Sequence, residues 1–307
     1  MISIAMTTYN GEKYLREQLD SILAQTIQDF ELIICDDCST DSTVKILNEY
    51  AGKNSCIKVF VNENNLGFKK NFEKAIGLCI GEYIALSDQD DIWKENHLEL
   101  LLSNLQDKSA SVGNANIMDS NGIILGRRLS EADCYTNDID DNSRLSRIIS
   151  YGNPFQGASS LYKHTLFEKA MPIPKGIEYH DAWFSACACC TDGLNYSFDP
   201  ITNYRVHNSN ASGNHHNTFW NRIKTTLKRQ GYKTDRVIFC EELLKRFPDM
   251  DERKENIIFD AQNFYLAREK GKRIKVMSYI IKNYKEFYGV ANYKLLFPRI
   301  IGILLKG

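Results

Sequence analysis

Over residues 1–105, short β-branched apolar runs alternate with longer segments whose apolar residues recur every three or four positions. The runs predict strands over 2–6, 31–35, 57–61 and 83–86. The stripes Leu15, Leu19, Ile22 and Leu23, then Val44, Leu47 and Ala51, then Phe68, Phe72, Ile76 and Cys79 predict the helices between them. Strands joined by helical crossovers must run parallel and be covered by those helices, so the pattern predicts an α/β fold. In such sheets ligands bind beyond the carboxyl ends of the strands. The residues just past each predicted strand are 7–10, 36–37, 62–65 and 87–91, all polar and twice doubly acidic.

Residues 110–207 predict shorter strands, over 111–117, 122–125, 155–162, 195–198 and 201–205, with one helix over 181–190, and read as a mixed-sheet continuation of the same domain. From about 218 the period is helical, with apolar Val237, Leu244, Ile257, Phe264, Ile280 and Leu296 and punctuation at Pro248 and Gly271. Charge changes at the same place. Residues 1–219 carry 18 basic against 29 acidic side chains, net −11, while residues 220–307 carry 20 against 10, net +10. The expected division is therefore a catalytic body over 1–213 and a basic helical appendage over 214–307.

The turn Asp88-Gln89-Asp90-Asp91 follows an apolar strand directly. Carboxylates at i and i+2 can both face one hard cation and leave its other positions to substrate phosphates, which suits a nucleoside diphosphate. Asp91 also reads as an ordinary cap of the following helix. Asp36-Asp37 opens the run Cys38-Ser39-Thr40-Asp41-Ser42, in which Asp41 or Ser42 is a natural N-cap, but the leading pair is free to accept from the ring N–H of a pyrimidine. Tyr9, in the neighbouring loop, is placed to stack on that ring or to be a half-buried loop tyrosine.

Ile4-Ala5-Met6-Thr7-Thr8-Tyr9-Asn10, Ser21-Ile22-Leu23-Ala24-Gln25-Thr26, Asp36-Asp37-Cys38-Ser39-Thr40-Asp41 and Ser87-Asp88-Gln89-Asp90-Asp91, in that order and spacing, resemble the nucleotide-sugar half of the family 2 glycosyltransferases of GT-A fold. The likeness is densest over 1–105, the nucleotide-binding half, and continues more loosely through an acceptor half, 106–213. It implies a Rossmann-like mixed sheet flanked by helices, and an inverting sugar transfer from a nucleotide diphosphate sugar that depends on Mg²⁺ or Mn²⁺. Carried onto this chain, it implies that Tyr9 and Asp37 meet the base with Thr7 and Asp36 beside them. Asp90 becomes the direct metal ligand, with Asp88 nearer the sugar or ribose. Glu178-Tyr179-His180-Asp181-Ala182-Trp183 matches the segment that supplies the catalytic base. Many members have Glu-Asp where this chain has His180-Asp181, which leaves Asp181 as the base and the role of His180 open. Gln156, in Asn153-Pro154-Phe155-Gln156-Gly157-Ala158, resembles the lining of the acceptor pocket. Asn203-Tyr204-Arg205-Val206-His207 resembles the element that closes over the diphosphate, with His207 on metal or phosphate and Arg205 supporting it. The combination of Gln156-Gly157-Ala158, His180-Asp181 and Arg205-x-His207 looks most like the rhamnosyltransferase-type members, which use dTDP-rhamnose; UDP-hexose donors stay open.

The chemistry asks independently for such a base, because an acceptor hydroxyl must lose its proton as it attacks the anomeric carbon. Competing readings are a sugar nucleotidyltransferase, whose glycine-rich basic loop is absent from Thr7-Thr8-Tyr9-Asn10-Gly11, and a non-catalytic nucleotide-sugar-binding protein. Lys69 and Lys70 read as a solvated helix face or as nucleotide neighbours. Basic and aromatic residues interleave in the tail, but no nucleic-acid-binding motif accompanies them. Two readings of the tail stand: peripheral membrane contact, centred on 293–306 and suited to a lipid-linked saccharide acceptor, or a helical lid or homodimer element. No apolar run is long enough to span a bilayer, and the N-terminus lacks the pattern of a signal peptide. The expected location is cytoplasmic, peripheral at the inner face of the membrane, and the nine cysteines read as thiols packed in the core.

Overall fold

The computed structural model describes residues 1–132, 140–150, 153, 155–177, 179–207 and 233–282. The first half builds as its periodicity predicts: β1 (Ile2–Thr8), α1 (Leu15–Leu23), β2 (Phe30–Asp36), α2 (Thr43–Ala51), β3 (Ile57–Val61), α3 (Phe68–Gly77) and β4 (Tyr83–Ser87). These four strands are mutually parallel in the order β3-β2-β1-β4, with Thr8 beside Asp36 and Met6 beside Ser87. The turns after β1, β2 and β4 therefore share one edge. Alternation of side chains along β1 sends Ile4 and Met6 to one face and Ala5 to the other, and β2 repeats this with Leu32 and Ile34 against Ile33. One face is covered by α1, α2 and α4 (His97–Leu105), and the other by α3 and the helices of the second half.

Beyond the two-residue strand β5 (Ile92–Trp93) the sheet turns mixed. β6 (Ala110–Met118) and β8 (Ser160–Lys163) pair antiparallel, β8 pairs antiparallel to β4, and β9 (Leu194–Arg205) lies parallel to β6 and antiparallel to β5. β7 (Ile124–Arg128) hangs on β6 as an exposed hairpin arm. Two expectations need correction here. The strands expected over 195–198 and 201–205 are one twelve-residue strand. Gly113 pairs with Ser197 and Asn114 with Pro200, so the bulge absorbs the imide that cannot donate to a ladder. The strand expected over 155–162 begins only at Ser160, after a 3₁₀ turn at Gly157–Ser159.

The second half also holds more than the single helix expected of it. Besides a short α5 (Leu129–Ala132), α6 (Asp141–Ser150) and α7 (His164–Ala170) precede α8 (His180–Cys190). α8 is apolar all round and buried from Ala182 onward, as a helix of that composition must be. Its Trp183 indole donates to Ala170 O (2.7 Å) and meets Phe239 edge-on at 5.4 Å. Phe239 belongs to α9 (Lys233–Arg246), which with α10 (Glu252–Glu269) and α11 (Arg273–Lys282) extends the same apolar cluster. Asp251 caps α10 by accepting from Lys254 N (3.0 Å). The boundary expected at 213–214, and the segment 293–306, lie outside the described residues.

Candidate active site

The site is assembled from the shared carboxyl edge. After β2, Asp36 is 0% exposed and its carboxylate accepts from Thr8 Oγ1 (2.7 Å), Ser39 N (2.8 Å) and Ser39 Oγ (2.6 Å). Its oxygens are thus spent on joining the β1 and β2 turns. Asp37, also buried, reaches across to the loop after β3, accepting from Asn62 Nδ2, Leu66 N and Gly67 N, each at 2.8 Å. Asn62 accepts from Lys74 Nζ (2.6 Å) and donates to Asn71 (2.9 Å), which donates to Cys35 O (2.7 Å), so the loop is anchored in the sheet. Thr7 is buried in the penultimate position of β1, whereas Tyr9 stands 49% exposed just beyond it.

The acidic turn is arranged differently. Asp91 is fully buried and works inward, accepting from Gln156 Nε2 (3.0 Å) and from the backbone N–H of Arg205 (3.0 Å). Burial, then Asp90 and Asp88, push its carboxyl well above the usual range. Arg205 is 1% exposed: its guanidinium donates to Asp90 O (2.8 Å) and Glu17 Oε2 (2.7 Å) and lies 4.5 Å from the Tyr14 ring centroid. It braces the turn from behind. His207, next but one along, donates from Nε2 to Asp90 Oδ2 (2.8 Å), with its ring 5.0 Å from that of Tyr14.

Asp88 makes no such bond; burial, then Asp90 and Asp181, raise it to about 7. Asp181, the base expected from α8, is thus close enough to the acidic turn to act on Asp88. Asp181 lies at the start of α8, accepts from Ala182 N (2.7 Å), and is pushed up to about 6 by burial. Gly157 packs against it: a Cβ there would lie 3.5 Å from Asp181 Cβ and 3.1 Å from His180 Nε2. His180 is buried, stacked on Phe72 at 4.1 Å, and held neutral by burial with its pKa near 3.

The structure thus ties Tyr9 to the acidic turn through Gln89, joins His207 to Asp90 and leaves Asp181 near enough to Asp88 to raise its carboxyl, while Asp37 holds the loop after β3 and Asp36, Asp91, Gln156 and Arg205 act as struts. An Asp90 carboxylate and an imidazole nitrogen are oxygen and nitrogen donors suited to a hard divalent cation, and the crowded charge that raises Asp88 is what a cation would offset. Among the described residues no three His, Cys, Asp or Glu side chains converge as a metal cage. Glu17, Tyr14 and Gln89 were not foreseen as parts of the site, since nothing local in their sequence surroundings distinguishes them.

A parallel half-sheet continued by antiparallel strands, with an acidic turn at its carboxyl edge and a further carboxylate at a facing helix start, defines the GT-A class of glycosyltransferase fold. The chain resembles Staphylococcus aureus TarS 1–349 in complex with UDP-GlcNAc, with a TM-score of 0.61 at 18% identity, covering 93% of this chain and 78% of that one. It also resembles the mannosyltransferase PcManGT from Pyrobaculum calidifontis in complex with GDP-Man and Mn²⁺, with a TM-score of 0.55 at 15% identity, covering 99% and 86%. The chain belongs to glycosyl transferase family 2, whose family model matches residues 3–169. It is 27% identical over 241 residues to an uncharacterized glycosyltransferase of Haemophilus influenzae, covering 75% of this chain and 72% of that protein. It is 35% identical over 126 residues to WfgD of Escherichia coli, a UDP-Glc:alpha-D-GlcNAc-diphosphoundecaprenol beta-1,3-glucosyltransferase, covering 40% of this chain and 49% of that protein. The match thus spans about half the length of WfgD.

Proposed function

We propose that this chain transfers a sugar from a nucleoside diphosphate sugar to a hydroxyl of a saccharide or lipid-linked saccharide, with inversion, in the assembly of a bacterial surface polysaccharide. What supports the reading is Asp181, half-buried at the start of α8, packed beside Gly157 and close enough to the acidic turn to raise Asp88. Tyr9 offers an exposed ring for the base, and Asp37 fixes the loop beside it. A bound Mg²⁺ or Mn²⁺, held by Asp90 and His207 with Asp88 nearby, would offset charge on the departing diphosphate. Asp181 accepts the proton of the attacking hydroxyl, and no covalent enzyme intermediate is required.

The donor is proposed as dTDP-rhamnose or a UDP-hexose. The rhamnosyl reading rests on the His180-Asp181 and Arg205-x-His207 pattern; the UDP reading draws support from the donors named for TarS and WfgD. The test is a titration of the purified chain with UDP, dTDP and GDP, each with and without Mn²⁺, repeated on Asp181→Asn. The reading expects Asp181→Asn to bind nucleotide as the parent does and to transfer no sugar. Unchanged turnover in that variant would overturn the base assignment, and nucleotide binding with no transfer by the parent from any donor would favour a non-catalytic binding protein.

A second reading concerns where the acceptor is met. No described helix is long and apolar enough to cross a membrane. α11, however, presents Ile274 at 85% and Ile281 at 59% exposure on one stripe, among exposed Lys270, Lys272, Lys275 and Lys282. That combination supports peripheral contact with an anionic lipid surface. Sedimentation with phosphatidylglycerol vesicles that falls with added salt and with Ile274→Glu would bear it out; equal sedimentation with neutral vesicles would not.

A further inference from the structure

Gln89 stands between two carboxylates of the acidic turn, and the chemistry above gives it nothing to do. Its carboxamide is nevertheless fully engaged. Oε1 accepts from Tyr9 N (2.8 Å) and Nε2 donates to Tyr9 O (3.0 Å), so one side chain pairs with both backbone polar groups of a residue eighty positions away, as a neighbouring strand would. The backbone of Tyr9 is thereby fixed while its side chain stands 49% exposed. The rest of that loop is held from the β2 turn and the starts of α1 and α2. Asn10, with φ of 47°, donates to Ser39 Oγ (2.8 Å) and accepts from Thr40 N (2.8 Å), and Gly11 N donates to Thr43 Oγ1 (2.8 Å).

Gly11 shows that the clasp constrains the sequence on both sides. A Cβ at position 11 would lie 2.2 Å from Gln89 Oε1 and 2.5 Å from its Cδ, closer than any carbon tolerates, so only glycine lets the carboxamide seat. Residue type at position 89 is equally restricted. Glutamate can accept but not donate, asparagine is one methylene shorter, and an apolar chain can do neither.

We propose that Gln89 is a positioning residue that joins the loop bearing Tyr9 to the turn bearing Asp88 and Asp90, so that nucleotide and divalent metal bind with mutual reinforcement. The inference rests on the donor site proposed above. Ordering of either half orders the other, and the second ligand to arrive meets a site already set. Because such coupling is reciprocal, the factor by which metal strengthens nucleotide binding equals the factor by which nucleotide strengthens metal binding.

The test is calorimetry on the full chain with UDP and dTDP, with and without Mn²⁺, and with Mn²⁺ alone, for the parent, Gln89→Met and Gly11→Ala. Met keeps the length and removes both hydrogen bonds; Gly11→Ala leaves every carboxylate and the residue type at position 89 unchanged but displaces the Gln89 carboxamide. The expected result is a coupling factor reduced at least fivefold in both variants, with affinity for Mn²⁺ alone changed less than twofold. Nucleotide affinity lowered by the same factor with and without Mn²⁺ would overturn the proposal, because the clasp would then be structural only. If one variant does not fold, the other decides. Failure of the underlying site is distinguished in the parent itself: a parent chain that binds no nucleotide, or binds it indifferently to Mn²⁺, overturns both the coupling and the donor-and-metal reading.

Discussion

A carboxyl that takes a proton from a sugar hydroxyl works only while ionised, and Asp181 is held by burial at about 6 rather than at the ordinary carboxylate value. In the role proposed for it the protonated form is inactive and the ionised form active, so the rate of transfer is expected to rise through about pH 6 and level off above it, as a pH–rate profile at saturating donor would show. Asp181→Asn should lower turnover about a thousandfold with little change in nucleotide affinity. His180 bears on the same titration. It is uncharged throughout that range, with its pKa near 3, and stacked on Phe72 beside the base. His180→Glu would set a second negative charge next to Asp181 and is expected to move the rising limb to higher pH. A limb that stayed at pH 6 in that variant would show that residue 180 does not sense the base. The motif around Asp181 was visible in the sequence, but the neutrality of His180 was not, because it comes from burial, with the ring of Phe72 brought onto it from α3.

At the level of elements, the four parallel strands and the polar turns after them were legible because both signals are local: a change of apolar period and a cluster of carboxylates at its end. The elements that escaped have specific causes. α6 carries Arg144 and Arg147 where an apolar stripe would run, yet Arg144 is tied down by Asp141 (3.0 Å) and Leu194 O (2.7 Å), and Arg147 is buried. β9 was read as two strands because Pro200 interrupts its pattern, and the bulge that accommodates it is a property of the pairing with β6. The pairings that brace the site were equally hidden. Glu17 meets Arg205, Gln156 meets Asp91 and Gln89 meets Tyr9 across long stretches of chain, so no spacing rule reports them. The loop after β3 gives the test at this scale. Asp37→Ala would leave Leu66 N without its acceptor and Gly67 N with the longer bond to Asn65 Oδ1 (3.1 Å), and is expected to cost about 2 kcal/mol. Chemical denaturation should show a lower midpoint at an unchanged slope, and nucleotide binding should weaken with it. A midpoint equal to the parent's would mean that water replaces the carboxylate without loss.

For the molecule as a whole, α9 and α10 share the apolar cluster that buries α8, so Asp181 stands on a helix covered in part from beyond residue 232. Phe239 faces Trp183, and the Arg246 guanidinium lies 5.3 Å from the Trp183 ring centroid. A chain ending before Lys233 should therefore lose cooperative unfolding and bind a hydrophobic dye at neutral pH; a truncated chain that melts in one sharp transition would show that the first half and α8 suffice. The same burial has a practical corollary in the thiols. Cys35 is pushed up to about 11 and Cys79, Cys190 and Cys240 to about 12, while Cys187 and Cys189 are raised well above the ordinary thiol range, all through burial. Among the described residues only Cys38 and Cys56 are partly open to solvent. A thiol-directed dye should tag these two promptly and, of the eight described cysteines, reach the six buried ones only as the packing around α8 and the central sheet opens. The lag between the two waves of labelling then times how often the native chain comes apart, with no probe engineered into it.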